Sequence, residues 1–365
     1  MIFVQTDKLK EGMRLGKPIY NKKGVLLYER DSRLTRQAIE SVKNFGLLGV
    51  FILDPAEPCP PMTEEDIEFE RFQTMAIFQI EESLDTLIKK GKASRLRDFA
   101  DRIISKFGRL DHKINFQQSL RGNDDYVYKH SLNVAILSAM ISYRLQFHGE
   151  EQIECIMAAV VHEIGKFSIP DEVKKTLTKE NSVETERKFE RGGHSMIEDL
   201  FFSTPSVKRT VSQAFQLRDE LEARKDISHM KLTKGARVLA ACDLFDCLTA
   251  MSLTEEPLTV FGALKQVKKN EAAYGKDVTE AFIKSINFLP EGSSVELTNG
   301  EKGLIIAAND YDIFRPVVLT YHGNKMIDLR RTGREGPEIL DLVKKFDARH
   351  VIDRQIITAA RETIE

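Results

Sequence analysis

The chain has 365 residues, 42% hydrophobic and 30% charged, with a formal net charge of −2. Such a chain is soluble, globular and long enough for two or more domains, and it lacks the overall basic field that draws a protein to nucleic acid. The first residues, Met1 to Lys8, lack the charged start and apolar core of a signal peptide, and no apolar run reaches membrane-span length. A cytoplasmic protein with no membrane or nucleic-acid partner is therefore expected. Cys59, Cys155, Cys242 and Cys247 are scattered, which points to reduced thiols. Cys242 and Cys247 lie five apart on one predicted helix, face different ways, and make a poor pair of metal ligands.

Residues 1–54 read as a small α/β domain. Pro18 to Gly24 followed by Val25–Tyr28 predicts two short strands around a turn. Ser32–Thr35 opens a helix to Phe45 that Gly46 ends, and Val50–Leu53 is a third strand. Asp54–Pro61, with four prolines in eight residues, is a linker. It opens residues 55–122, a linker and helical arm. Thr63 to Asp66 is a capped helix start, and Ile67, Phe72, Met75, Phe78 and Leu84 recur at near-helical spacing. A second helix covers Ala93–Phe107. This region reads as a connecting bundle or a dimer arm.

Residues 123–288 are the helical body. Helices are expected over Tyr126–Phe147, Glu150–Ile164, Val183–Phe202 (interrupted by Gly192-Gly193-His194), Pro205–Arg224 and Leu232–Met251, with two more starting at Pro257 and Asp277. In the tail, Ser294–Thr298 and Lys302–Ala307 flank Asn299-Gly300, a hairpin signal. Pro316–Tyr321 and Lys325–Leu329 flank a second turn. Residues 289–333 are thus a small antiparallel β unit, and Gly336–Glu365 returns to helix as the C-terminal tail. The fold class is mainly α.

The chemistry concentrates on His130, His162, Glu163 and Asp243, each in or at the end of an apolar helix. Parallel or antiparallel helices in a bundle can aim such side chains at one point. An adjacent imidazole and carboxylate are costly to bury unless paired, and a divalent metal is the usual partner. Lys166, four residues after His162, is placed to hold a phosphate oxygen. Each residue also has a plain structural reading. His130 alone would suit a satisfied core histidine. Glu163 can pair with Lys166 or Arg237, and Asp243 can be an acid near Arg237. Lys166 can serve a helix C-terminus. Asp246 reads as structural. His112, His148, His229, His322 and His350 have no evident partner and should face solvent.

This order of motifs resembles the HD superfamily of metal-dependent phosphohydrolases, and within it the HD-GYP branch of cyclic-di-GMP phosphodiesterases. The likeness extends over about 123–285. The flanks Leu9-Lys-Glu-Gly-Met13, Gly303 and Arg315-Pro-Val-Val318 are similar to segments that often accompany that domain. The resemblance implies an HD-type helical bundle. It places the lone His on His130, the His-Asp pair on His162 and Glu163, the following Ile-Gly-Lys on Ile164-Gly165-Lys166, a further ligand on His194, and the late Asp on Asp243. Lys166 is then the candidate catalytic residue.

The departures bear on activity. The pair ends in Glu163 instead of Asp. The family's His-His-Glu triplet falls on Ala214-Phe215-Gln216, and its Asp-Gly-x-Gly-Tyr-Pro loop on Asp219–Arg224, a plain helical sequence. The Glu of three-metal members is Tyr126. His130, His162, Glu163 and Asp243 would make one N/O site suited to iron or manganese. A second site would keep only His194, Lys166 and a bridging Glu163. The expectation is a degenerate HD-GYP protein, a pseudoenzyme in signal transduction that binds a cyclic dinucleotide or another phosphate ligand, with a protein partner or a second copy of itself as further candidates. The alternative is an active cyclic-di-GMP phosphodiesterase or other phosphohydrolase with an altered metal site.

Overall fold

The computed structural model describes residues 2–21, 25–53, 62–122, 124–170, 172–173, 182–201, 204–251, 256–309, 311–333, 336–343 and 354–363; the side chains of 182, 183, 186 and 354 also lie outside the description. The fold is mainly α, with twelve α-helices among the described residues. The expected hairpin turn at Gly24, the linker 54–61, Cys59 and His350 fall outside the described residues.

The N-terminal unit has a core of its own, built on Leu15, Ile19, Leu34, Ala38, Val42, Val50 and Ile52. Strands β1 (Ile2–Gln5), β2 (Arg14–Leu15) and β5 (Gly49–Leu53) form an antiparallel sheet in the order β1-β5-β2, and β3 (Ile19–Tyr20) pairs with β4 (Leu26–Tyr28). β1 and β2 were not anticipated, since strands of four and two residues are too short for a period-two signal. Helix α1 (Arg36–Asn44) starts at Thr35, whose hydroxyl accepts the Ala38 N–H, and ends before Gly46 at φ +67°.

Helix α2 (Glu64–Lys90) opens with a reciprocal capping box between Thr63 and Asp66 and turns back at Gly91 into α3 (Ser94–Phe107). The stripe expected to pack is corrected in part: Leu84 is buried and Phe72 packs against the core as expected. Ile67, Met75 and Phe78 are exposed, while Phe69, Gln73, Ala76, Ile77, Ile80, Leu84 and Leu87 face the core. Those buried positions follow a helical period too, and α2 is apolar enough on both sides that spacing alone cannot choose between them.

The helical body is built on α4 (Tyr126–Arg144), packed against α2, α3, α5 (Glu150–Val161), α8 (Lys234–Thr249) and α11 (Lys276–Ser285). Around them lie α6 (Ser182–Leu200), α7 (Pro205–Glu222), α9 (Val260–Lys269) and α10 (Glu271–Tyr274). Two expectations change here. Helix α5 ends at Val161, and Ile164–Ser168 form a 3₁₀ turn, so His162 and Glu163 sit at the junction. Helix α6 runs through Gly192-Gly193 without a break. Its glycines serve packing: a Cβ on Gly193 would lie 2.6 Å from the Gly165 nitrogen, and one on Gly165 would lie 2.8 Å from the Gly193 nitrogen. The 3₁₀ turn and α6 can therefore touch backbone to backbone.

The tail is a five-stranded antiparallel sheet: β6 (Ser294–Leu297), β7 (Lys302–Ala307), β8 (Val317–Thr320), β9 (Met326–Asp328) and β10 (Ile339–Leu342), in the order β10-β6-β7-β8-β9. The β6–β7 turn holds Gly300 at φ +82°. β10 corrects the helix expected from Gly336. It pairs Ile339 with Leu297 and Leu342 with Val295, because the free edge of β6 offers ladder partners that outweigh local preference. Helix α12 (Arg354–Glu362) is helical as expected, and it covers Ile306, Val317 and Leu319 with Ile357 and Ala360.

Candidate metal centre

Three elements converge on one buried point. Helix α4 supplies His130, the α5 junction supplies His162 and Glu163, and α8 supplies Asp243. One ligand atom from each of the four lies within 4.8 Å of every other. His130 Nε2 is 3.1 Å from His162 Nε2, 3.1 Å from Asp243 Oδ1 and 3.8 Å from Glu163 Oε1. All four residues are at most 9% exposed.

The outward hydrogen bonds decide what these atoms can do. His162 Nδ1 lies 2.7 Å from the Ala159 carbonyl oxygen, which can only accept, so the ring proton sits on Nδ1. His130 Nδ1 lies 2.6 Å from Asp246 Oδ2 and carries its proton for the same reason. Two imidazole lone pairs and two carboxylates then point inward, an all-acceptor cluster that requires a positive charge at its centre. Glu163 Oε2 is buried without a hydrogen-bond partner. A proton on His130 is one such charge. Burial opposes it, but Glu163, Asp243 and Asp246 push the His130 pKa up to about 10. Burial disfavours the Glu163 carboxylate as well, yet Lys166, His130 and His162 draw it down to about 2. A divalent cation fits the same donor set.

Behind the cluster lies a layer that sequence reading missed. Asp246 is fully buried and reads as more than a local cap: Arg121 Nη2 donates to it at 2.5 Å, Gln118 Nε2 at 2.7 Å and Asn133 Nδ2 at 2.9 Å, opposite His130. Arg121 is itself fully buried and stacks 4.7 Å from the Tyr126 ring. Such an outer partner fixes the histidine tautomer and ring orientation. Asp246 stands three residues after Asp243 on α8, so the two acids share a face; that spacing is the signal available in the sequence.

Lys166 is engaged by carboxylates. The 3₁₀ turn places it three residues from Glu163, to which it is ion-paired, and 3.4 Å from Glu190, which also pairs with Arg218 at 2.6 Å. Glu163 thus takes Lys166 and not Arg237, which pairs with Asp277 at 2.9 Å. His194 lies outside the four-residue group. Its Nε2 is buried without a partner, and its ring packs 4.7 Å from Phe215. Phe215 also lies 6.3 Å from His162 and under the Arg218 guanidinium at 4.6 Å. Of the histidines expected to face solvent, His112, His148, His229 and His322 are exposed, but His112 has partners, Glu65 at 2.7 Å and Asp111 at 3.0 Å. No helix of the described residues is long and apolar enough to cross a membrane.

Among known proteins, the family model described as the HD domain matches residues 127–248. A cyclic di-GMP phosphodiesterase of Pseudomonas aeruginosa is 22% identical over 247 residues, which are 65% of this chain and 60% of that protein. The match spans about three fifths of the relative's length. No solved structure matches the chain.

Proposed function

We propose that the chain, whose residues 127–248 match the HD domain model, is a degenerate HD-GYP-type protein of cyclic-di-GMP or related nucleotide signalling. It acts by binding, with weak or no phosphodiesterase activity. His130, His162, Glu163 and Asp243 hold one divalent cation, iron or manganese by the mixed imidazole and carboxylate donors. Such an ion supplies Lewis-acid charge to a phosphate oxygen. The chain's own residues do the rest: Asp246 keeps the His130 proton on Nδ1, and Lys166 balances Glu163 and Glu190 beside the site.

The observation that supports weak or absent catalysis is Phe215. Its ring packs from α7 against His194, at a position where the resemblance calls for a metal ligand. Two-metal phosphodiester cleavage requires ions about 3.5–4 Å apart, clamping both the attacking and the leaving oxygen. A ring and a lone histidine do not build that second clamp. The test is to load the purified protein with manganese or iron, count metal, and follow cyclic-di-GMP by calorimetry and by product formation. The expected result is about one equivalent of metal, saturable binding and little product. Rapid turnover would establish the other reading, an active phosphohydrolase with an altered site, which the convergence of all four donors favours. The exposed Ile67, Met75 and Phe78 of α2 support a homodimer through the arm, which sedimentation would detect.

A further inference from the structure

A cavity of about 240 Å³ lies between the N-terminal unit and α2, and its walls include Lys17, Leu47, Glu70, Ile77 and Gln118. None of the four metal-cluster residues lines it. Two of its charged side chains are incompletely answered. Lys17 is only 8% exposed, and among the described residues its ammonium donates one hydrogen bond, to the Gln118 carbonyl oxygen at 2.6 Å. Its other polar contact is the Phe51 ring at 5.4 Å. An ammonium carries three N–H donors, and a buried charge is costly unless they are matched. The Glu70 carboxylate has no hydrogen bond and no ion pair within 4 Å among the described residues, although it and Lys17 feel one another's charge. Burial raises the Glu70 pKa and lowers that of Lys17, as each is left partly unpaired.

Opposite charges that line one cavity without touching leave room for a molecule with both charges of its own. We propose that this cavity binds a small zwitterion with an apolar tail, the chemistry of an aliphatic α-amino acid. Its carboxylate takes the open donors of Lys17, its ammonium takes Glu70, and its side chain lies on Leu47 and Ile77. The volume is below the roughly 300–1,000 Å³ of drug-sized pockets, which suits a ligand of that size. Gln118, in the same wall, donates through its side chain to Asp246, so the occupant sits beside the layer that holds His130. The proposal is independent of whether the metal cluster is catalytic.

The test is calorimetric titration of the full-length protein with L-valine, L-leucine, L-isoleucine and L-methionine. 4-Methylpentanoate and isopentylamine serve as probes carrying one charge each. At least one amino acid is expected to bind saturably and at least tenfold more tightly than either single-charge probe. Glu70→Gln and Lys17→Met are each expected to weaken it at least tenfold. Glu70 makes no side-chain hydrogen bond among the described residues, so Glu70→Gln tests the site without removing one. Absence of saturable binding by all four amino acids overturns the proposal. So does a single-charge probe that binds as tightly, or a Glu70→Gln protein that binds unchanged.

Discussion

Asp246 shows how one side chain can govern a centre it does not line. It accepts from Arg121, Gln118 and Asn133 while holding the Nδ1 proton of His130, so its charge and its shape both matter. Asp246→Asn keeps the shape and removes the charge, which leaves Arg121 buried and uncompensated. The expected cost is about 3–5 kcal/mol of stability, read by urea denaturation. Metal affinity should fall by about 10–100-fold, read by competition with a chelator. Adding Arg121→Met to Asp246→Asn should restore much of the stability and none of the affinity. Lys17 gives a pH signature. Burial lowers its pKa to about 8, from 10.5 in an unfolded chain. Between those values the unfolded state binds more protons, so stability rises with pH; below about 8 the whole cost of burying the charge is present. That cost is on the order of 3 kcal/mol. Lys17→Met should therefore be more stable than the parent at pH 7, with the gap closing towards pH 10.5, by denaturation at a series of pH values.

At the scale of elements, the contact between the 3₁₀ turn at Ile164–Ser168 and α6 sets where Glu190 and Lys166 meet beside the cluster. Two adjacent glycines of α6 should respond in opposite ways to the same substitution. Gly193→Ala drives a Cβ to 2.6 Å from the Gly165 nitrogen, so backbone must move. A loss of about 1–3 kcal/mol is expected, together with weaker metal binding. Gly192 is exposed and a Cβ there meets nothing within 4 Å. Gly192→Ala should stabilise the helix by about 0.5–1 kcal/mol. Equal effects of the two changes on thermal unfolding would contradict the packing role.

At the scale of the molecule, the segment from Gln118 to Gly122 joins the N-terminal unit to the helical body. Its backbone takes Lys17 on the Gln118 carbonyl and Leu48 N–H on the Arg121 carbonyl at 3.0 Å, while its side chains hold Asp246. The candidate cluster also ties α4 and the α5 junction to α8, some eighty residues further along the chain. A cation that binds only the folded state should raise stability by about 2.7 kcal/mol at a hundredfold excess over its dissociation constant. Manganese should therefore raise the melting temperature of the parent and leave that of His162→Ala unmoved, by calorimetry.

The helices, their caps and the two C-terminal hairpins were legible in the sequence, because they rest on local signals: periodic apolar residues, Thr35 and Thr63 as caps, and Asn299-Gly300 as a turn. The order His130, His162-Glu163, Asp243 also pointed to one family without any coordinates. Tertiary structure alone decided which face of α2 is buried, that β10 is a strand, and that Gly192-Gly193 lies inside an unbroken helix. It alone supplied Arg121 and Gln118 as the partners of Asp246, and the cavity at Lys17. These features depend on groups distant in sequence meeting in space, from Ile339 and Leu297 on neighbouring strands to Arg121 and Asp246 across 125 positions. Periodicity carries no information about which distant side chain will complete a buried charge.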